Sequence, residues 1–198
     1  MRYYPLYVDL KGRNCLLVGR GRMIQEKSES LEKSGAVIRL RPEFHEKDAE
    51  DVFLIVADVK EDIAQEIQSF GERNRIFVNI VDKPDYCSFI VPAIVERGKL
   101  LIAISTSGSS PALAGWIRER FQQEFGPEYG GLLDALGETR GEVKKILPRY
   151  GDRKAFYRRL LESGILRTAS REGAEEATSQ LRRQLQEFKS ELQTRIGT

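Results

Sequence analysis

The hydrophobic residues in the first half of the chain occur in short runs separated by polar stretches. The run N-C-L-L-V-G at 14–19 ends in glycine and predicts a strand, and the following residues up to Gly35 predict a helix. The remaining apolar runs predict strands at 36–40, 52–57 and 76–81, with a helix at 61–72. Strands that alternate with helices at this spacing predict right-handed βαβ units and a parallel sheet.

The second half contains one more predicted strand, at 99–105, followed from Pro111 onward only by helices. Apolar residues there recur at helical spacing, which is typical of amphipathic helices that pack on one face. The predicted stripes are Leu113, Trp116, Ile117, Phe121 and Phe125; Leu132, Leu136, Val143 and Ile146; Phe156, Tyr157, Leu160 and Leu161; and Leu181, Leu185, Phe188, Leu192 and Ile196. The sequence therefore predicts an α/β protein with a Rossmann-like parallel sheet and a C-terminal helical domain.

Composition narrows the class of protein further. With 40% hydrophobic and 31% charged residues in 198, the chain has the composition of a globular protein. Its 32 basic and 30 acidic residues are mixed, so we expect no nucleic-acid partner. No apolar run is long enough to span a bilayer, and residues 2–5 lack the apolar core of a signal peptide, so we expect a cytoplasmic protein with no membrane partner. Cys15, Cys87 and the lone His45 predict neither a disulfide framework nor a metal site.

The first candidate for chemistry is the segment G-R-G-R-M-I at 19–24, which lies at a strand-to-helix turn. Gly19 would permit the tight turn, and Gly21 would let backbone N–H groups approach a pyrophosphate at the helix N-terminus. Ile24 stands where a dinucleotide fingerprint has a small residue that lets helix and strand pack closely. Taken alone, the motif fits a nucleotide site and a structural turn equally well.

An acidic residue about 20 positions after such a turn commonly binds the adenosine ribose. The end of the second strand reads R-L-R-P-E at 39–43, which makes Glu43 the candidate. The two arginines of this segment would favour a phosphorylated ribose, or they are ordinary solvated side chains. The choice between NAD and NADP stays open at this point.

Two polar segments in the middle of the chain could also carry chemistry. Asp82 follows directly on a predicted strand, at the sheet edge where α/β proteins bind ligands, and a carboxylate there can accept a proton. The alternative is a turn-forming Asp before Lys-Pro. The loop S-T-S-G-S-S-P at 105–111 can cap the next helix or bind carboxylates or phosphates, and the sequence does not decide between these roles.

Four segments together resemble the siroheme-synthase N-terminal module, which is also found in free-standing precorrin-2 dehydrogenases and in bifunctional dehydrogenase–ferrochelatases. They are Y-Y-P-L-Y-V-D-L-K-G-R-N-C-L-L-V-G, V-N-I-V-D-K-P-D-Y-C-S-F-I-V-P-A, G-K-L-L-I-A-I-S-T-S-G-S-S-P-A-L-A and L-L-D-A-L-G-E-T-R. The resemblance implies a homodimer with a Rossmann-like NAD-binding domain at 1–84, a small dimerisation and active-site segment at 85–111, and a helical domain at 112–198. It implies oxidation of precorrin-2 to sirohydrochlorin with NAD, a second reaction in which ferrous iron is a substrate, and no resident metal.

The resemblance also implies roles for individual residues. Asp82 matches the family's catalytic aspartate, and we expect a base at this position to be partly buried. Arg22 and Met23 match backbone contacts to the nicotinamide dinucleotide, and Thr106 falls where some members carry a serine. A polycarboxylate macrocycle needs cationic or hydroxyl partners, and the candidates are Ser105, Thr106, Ser107 and Arg118.

This sequence departs from the family pattern at Ile24 and at residues 41–52, which replace the usual additional helix and strand. Twelve residues are near the minimum for a parallel crossover, so we expect a trimmed wall beside the adenosine pocket. These departures motivate an alternative, a degenerate member that binds, stores or delivers tetrapyrrole without NAD chemistry. A nucleotide-sensing regulatory module is disfavoured because no DNA-binding helix pair or basic face is evident.

Overall fold

The computed structural model describes residues 3–196, with side chains to residue 194. The chain divides into two compact units, one ending at Val91 and one beginning at Pro92. The first contains strands β1 (Asn14–Val18), β2 (Val37–Arg41), β3 (Leu54–Ala57) and β4 (Phe77–Ile80), and helices α1 (Arg22–Lys33) and α2 (Glu61–Asn74). The second contains β5 (Ala93–Arg97), β6 (Leu100–Ile104), α3 (Pro111–Glu124), α4 (Glu128–Ile146), α5 (Tyr150–Glu162), α6 (Ile165–Arg171) and α7 (Ala174–Ile196).

The first unit is built on a four-stranded parallel sheet in the order β2-β1-β3-β4. The central strands are buried on both faces, as their continuous apolar runs predict. Successive side chains alternate between two cores, so that Cys15, Leu17, Leu54 and Val56 pack on the α1 side with Ile24, whereas Leu16, Val18, Ile55 and Ala57 pack on the α2 side with Ala64, Ile67 and Phe70. The predicted parallel α/β sheet is confirmed.

The connection from β2 to β3 is short and crosses β1 with one 3₁₀ turn, Glu46–Ala49. Its buried side chains Phe44, Ala49 and Val52 belong to the same core as Leu16 and Val18. Among the described residues this connection contains no additional strand or α-helix, as its length predicts. Three apolar side chains therefore cover the face of β1 that a helix would otherwise cover.

Two arginines of β2 hold this connection in place. Arg41 Nε lies 2.9 Å from Asp48 Oδ1, and Arg39 donates to the backbone carbonyls of Asp48 and Glu50. Both arginines are therefore engaged by the crossover, while the Arg41 side chain stays 43% exposed.

In the second unit, β5 and β6 form an antiparallel hairpin around Gly98-Lys99, with Arg97 paired to Leu100. The hairpin packs on α3 and α4, and α4 to α7 enclose a separate apolar core. Strand β5 and helix α6 were not predicted from the sequence. The dimerisation and helical segments proposed at 85–111 and 112–198, and the boundary at residue 84, stay predictions about function.

The helical stripes are confirmed for α4, where Leu132 and Val143 are buried, and for α7, where Leu181 and Leu185 are buried. Ile196 lies outside the residues whose side chains are described. The predicted face of α3 holds only in part. Ile117, Phe121 and Phe125 are half-buried, whereas Leu113 and Trp116 are 48% and 52% exposed and Ala114 is buried instead.

Adjacent leucines in α5 give a matched test of the helical core. Leu160 is fully buried whereas Leu161 is 57% exposed. We expect Leu160→Ala to lower the free energy of unfolding by about 2–5 kcal/mol, since it leaves a cavity. Leu161→Ala should change it by less than about 0.5 kcal/mol. Urea unfolding followed by helical circular dichroism measures both, and equal losses would contradict this packing.

Candidate active site

The glycine turn between β1 and α1 has backbone conformations that only glycine adopts readily. Gly19 has φ of 129° and Gly21 has φ of 120°. Gly21 precedes α1, which carries no side-chain cap and no acidic residue in its first turn. The first N–H groups of the helix are therefore available to an anion, as they are at other uncapped helix N-termini.

The two glycines are required for different reasons. A Cβ at Gly19 would lie 2.7 Å from the carbonyl oxygen of Asp58, so close packing with β3 already demands glycine. A Cβ at Gly21 would meet no atom within 4 Å. Packing inside the protein does not account for Gly21, whereas the open space in front of it fits the approach of a pyrophosphate. The turn therefore fits a dinucleotide.

Ile24 is accommodated without displacing α1 from the sheet. Its side chain is 1% exposed and packs in the core that contains Cys15, Leu17 and Val56. Its Cγ1 lies 3.3 Å from the position that a Cβ on Gly19 would occupy, so the isoleucine fills the space beneath the turn. This departure from the fingerprint thus lies in the core and leaves the open side of the turn unchanged.

The carboxyl ends of the strands bring several polar residues to one edge of the sheet. The Gly19 N–H donates to the Arg41 carbonyl at 2.9 Å, and the Asp58 N–H donates to the Val18 carbonyl at 2.9 Å. The Val81 N–H continues the ladder by donating to the Ala57 carbonyl at 2.8 Å. The glycine turn, Asp58 and Asp82 therefore follow neighbouring strands at the edge where ligands bind in such sheets.

Asp58 is a candidate that the sequence analysis missed. It directly follows β3, beside Gly19, and its exposed carboxylate has no hydrogen bond or ion pair among the described residues. The available signal was its position directly after an apolar run, the same signal that identified Asp82.

Asp82 lies in a turn, closed by a hydrogen bond of 3.2 Å from the Lys83 N–H to the Ile80 carbonyl. Its φ of 57° is left-handed, a conformation that Asp and Asn tolerate better than most residues. The side chain is exposed, so the expectation of partial burial is wrong for this chain. The turn-forming role is thus real, and it leaves the carboxylate accessible.

The other predicted cofactor residues lie at the same edge. Arg22 and Met23 open α1 and are exposed, with Arg22 Nε 2.7 Å from Glu26 Oε1. Glu43 is exposed two residues beyond β2. In the connection that follows β2, the hydrogen bond from Arg41 holds the pKa of Asp48 below its usual value.

In the second unit, the hydroxyl-rich loop between β6 and α3 is largely engaged in its own hydrogen bonds. Thr106 Oγ1 accepts from the Ser110 N–H and donates to the Ser110 carbonyl, both at 3.1 Å, and Ser105 Oγ accepts from the Ser107 N–H at 3.0 Å. Ser110 Oγ accepts from the Leu113 N–H at 3.2 Å and is the N-cap of α3. The capping alternative is therefore present in the structure.

The fourth predicted substrate residue, Arg118, lies eight positions after that cap, about 12 Å further along α3. The structure therefore does not bring Arg118 together with the loop at one point. Its Nε is buried without a hydrogen-bond partner.

Across residues 3–194, no group of three or more His, Cys, Asp and Glu side chains could hold a metal ion. Within the described residues, no helix has the length and apolar character needed to cross a membrane. The cytoplasmic location stays a prediction.

Comparison with known protein families gives three matches in succession along the chain. Residues 37–93 match a putative NAD(P)-binding family, 97–124 the central region of the sirohaem biosynthesis protein, and 128–185 the sirohaem synthase dimerisation region. The chain belongs to the siroheme synthase N-terminal family. The predicted membership is confirmed.

Two relatives show how far the similarity to this family extends. Siroheme synthase 1 of Serratia proteamaculans is 29% identical over 95% of this chain and 44% of its own length. Siroheme synthase of Vesicomyosocius okutanii is 30% identical over 100% of this chain and 45% of its own length. The chain thus spans less than half of these relatives.

A solved structure has the same fold. SirC, described as a precorrin-2 dehydrogenase, superimposes with a TM-score of 0.65 at 23% identity, over 95% of this chain and 100% of that one. The fold of that solved structure is therefore present along almost the whole of this chain.

Replacing Gly19 or Gly21 by alanine distinguishes a loss of stability caused by packing from a loss of NAD⁺ binding. Gly21→Ala should cost about 1–3 kcal/mol of backbone strain. Gly19→Ala should cost more, because its Cβ would also collide with the Asp58 carbonyl. NAD⁺ binding by calorimetry should weaken in Gly21→Ala. The control is Gly173→Ala in the second unit, with φ of 90° and open space, which should lose stability but keep its NAD⁺ affinity. Equal affinity of wild type and Gly21→Ala would place the dinucleotide elsewhere.

The Arg41–Asp48 pair gives a prediction about pH. Because the folded pKa of Asp48 is lowered, its contribution to stability is present above the unfolded pKa of about 3.9 and is lost as pH falls through the folded value. The Tm of Asp48→Asn should lie below wild type at pH 6, and the difference should shrink below pH 4. Glu46→Gln, in the more exposed pair with Arg73, should differ little from wild type. A pH-independent difference would contradict this assignment.

Proposed function

We propose that this protein oxidises precorrin-2 to sirohydrochlorin with NAD⁺ as hydride acceptor and Asp82 as general base. The observation that carries the proposal is the sheet edge where the open glycine turn follows β1 and the accessible Asp82 carboxylate follows β4, with only β3 between these two strands. The relatives named siroheme synthase and the neighbour named precorrin-2 dehydrogenase support the choice of macrocycle.

Different residues of the first unit would bind the pyrophosphate and the ribose of NAD⁺. Gly21 leaves room for the pyrophosphate, and the N–H groups of Arg22 and Met23 at the start of α1 face its negative charge. Glu43, just beyond β2, is the proposed acceptor for a ribose hydroxyl. NAD⁺, when bound, supplies the site that takes the hydride.

Asp82 has the separate task of removing a proton. Loss of a hydride and a proton is a two-electron oxidation of the macrocycle, and the Asp82 carboxylate accepts that proton. The left-handed turn holds this carboxylate at the edge of the sheet, and its exposure lets a substrate reach it. Partners for the acid groups of the macrocycle are proposed in the second unit, among Ser105, Thr106, Ser107 and Arg118.

We also propose a homodimer and ferrous iron as a second substrate. The match of residues 128–185 to a dimerisation region supports the dimer, as do the exposed Ile94 and Leu101 on one face of the β5–β6 hairpin. Iron insertion would again use Asp82, since metal entry releases pyrrole protons.

The rival function is binding or delivery of tetrapyrrole without NAD chemistry. Burial of Ile24 removes one of its two motivations, and the short crossover from β2 to β3 is the other. NAD⁺ titration separates the two: wild type that binds sirohydrochlorin but neither NAD⁺ nor NADP⁺ would favour the rival.

Asp82→Asn tests the base directly. Asn tolerates the left-handed conformation, so the change removes the basic oxygen with little backbone cost, which Asp82→Ala would not. We expect turnover of precorrin-2, followed by absorbance with excess NAD⁺, to fall by roughly 10²–10⁴-fold while affinity for the macrocycle persists. The control is Asp85→Asn, an exposed neighbour in the same segment, which should keep wild-type turnover. Near-wild-type turnover of Asp82→Asn would show that another group is the base.

A further inference from the structure

Arg41, the last residue of β2, adjoins the glycine turn through its backbone. Its carbonyl accepts from the Gly19 N–H at 2.9 Å, and Glu43, the proposed ribose acceptor, follows two residues later. NADP⁺ differs from NAD⁺ by a phosphate on the 2′ oxygen of the adenosine ribose. A cation and a carboxylate therefore lie close in sequence at the strand end where the two cofactors would be distinguished.

These two side chains favour opposite cofactors. In dinucleotide-binding sheets, a carboxylate after the second strand accepts from the 2′ hydroxyl of NAD, whereas a nearby arginine accommodates the 2′ phosphate of NADP. This chain has both residue types within three positions, so the sequence alone does not decide between the cofactors. The interactions of the Arg41 guanidinium in the folded protein are therefore decisive.

The Arg41 guanidinium is already bound within the protein. Its Nε lies 2.9 Å from Asp48 Oδ1, and its Nη1 donates to the Leu40 carbonyl at 2.9 Å. The Asp48 side chain is only 15% exposed, so solvent and salt screen this pair less than a pair at the surface. A ribose phosphate would have to compete with Asp48 for the guanidinium, and Arg41 therefore offers it less attraction than a free arginine would.

Asp48 is itself held in place by the short connection between β2 and β3. Its N–H donates to the His45 carbonyl at 2.9 Å, and its carbonyl accepts from Arg39 Nη1. Glu46, two residues earlier, pairs with Arg73 at 3.0 Å, but both of those side chains are more than half exposed. Asp48 is thus a fixed carboxylate beside the end of β2, supplied by the segment in which this chain departs from the family pattern.

We propose that Asp48 sets a preference of this protein for NAD⁺ over NADP⁺ by occupying the Arg41 guanidinium, so that it is not free to bind a ribose phosphate. This assignment rests on the proposed function, which places the dinucleotide at the glycine turn. With Arg41 neutralised, the Glu43 carboxylate accepts from a 2′ hydroxyl and repels a 2′ phosphate. Asp48 acts through Arg41 and is a positioning residue that does not itself contact the cofactor.

Calorimetric titration of the whole protein with NAD⁺ and with NADP⁺, without tetrapyrrole, tests this assignment. We expect wild type to bind NAD⁺ at least about tenfold more tightly than NADP⁺. Asp48→Ala removes the partner of Arg41, and Asp48→Asn keeps an acceptor but not the charge. Affinity for NADP⁺ should rise by about tenfold in Asp48→Ala and by less in Asp48→Asn, because a charge-assisted bond to the phosphate becomes available. Affinity for NAD⁺ should stay within about twofold of wild type.

Two controls show whether Asp48 acts through Arg41. Glu46→Gln removes one negative charge from the same connection but leaves the partner of Arg41 in place, and its ratio of NADP⁺ to NAD⁺ affinity should equal that of wild type. Adding Arg41→Gln to Asp48→Ala should abolish the gain in NADP⁺ affinity. An equal gain in Glu46→Gln, or a gain that survives the loss of Arg41, would mean that release of Arg41 is not the cause and would overturn the proposal.

The remaining outcomes separate this assignment from the proposed function. If NADP⁺ affinity is unchanged in both Asp48 variants, or if both variants lose affinity for NAD⁺ as well, the ion pair serves only the fold of the connection and the proposal is wrong. Wild type that binds both dinucleotides equally well would also overturn it, while leaving the dinucleotide site at the glycine turn intact. If wild type binds neither dinucleotide, the proposed function fails and this assignment fails with it.

Discussion

The close approach of β1 and β3 at their carboxyl ends is the constraint on which the first unit depends. At Gly19 there is no room for a side chain, because a Cβ would lie 2.7 Å from the Asp58 carbonyl. The chain must turn there in a conformation open to glycine, and this turn leads directly into α1. The start of that helix, the burial of Ile24 beneath it and the alignment of Asp58 beside it all depend on this contact. The binding proposed at Gly21 uses the open side of a turn whose other side is fixed by packing.

The short connection after β2 shows how a parallel sheet can lose a helix and still keep its core. A crossover helix normally covers one face of the strand that it crosses. Here Phe44, Ala49 and Val52 supply that cover, and the pairing of Arg41 with Asp48 fixes the path of the connection. A few apolar side chains are enough to bury this face of the sheet, because only one strand has to be covered.

The sequence was sufficient to predict the parallel sheet, because four short apolar runs that alternate with helices indicate buried strands joined by βαβ crossovers. It was insufficient for β5, whose run A-I-V-E-R ends in charged residues, and for the face of α3, where apolar residues occur on both sides of the helix. The role of Arg39 and Arg41 could not be predicted either, because their partners become neighbours only when the crossover folds back. Asp82 and Asp58 both follow apolar runs in the sequence, but only the strand register connects Asp58 with Gly19.

The edge strand β2 and the connection after it could be changed without altering the other strands of the sheet. Among the described strands, β2 is the last in the sheet on its side, and Val37 and Leu40 are about half exposed. The resemblance to the family implies an additional helix and strand in the connection that follows it. A helix–strand unit grafted into residues 42–53 would enlarge the sheet outward from β2, whereas Gly19, Asp58 and Asp82 follow the other three strands. This connection is thus a natural place for modular redesign, in which the sheet gains a new edge beside β2 while the turns at Gly19, Asp58 and Asp82 keep their present geometry.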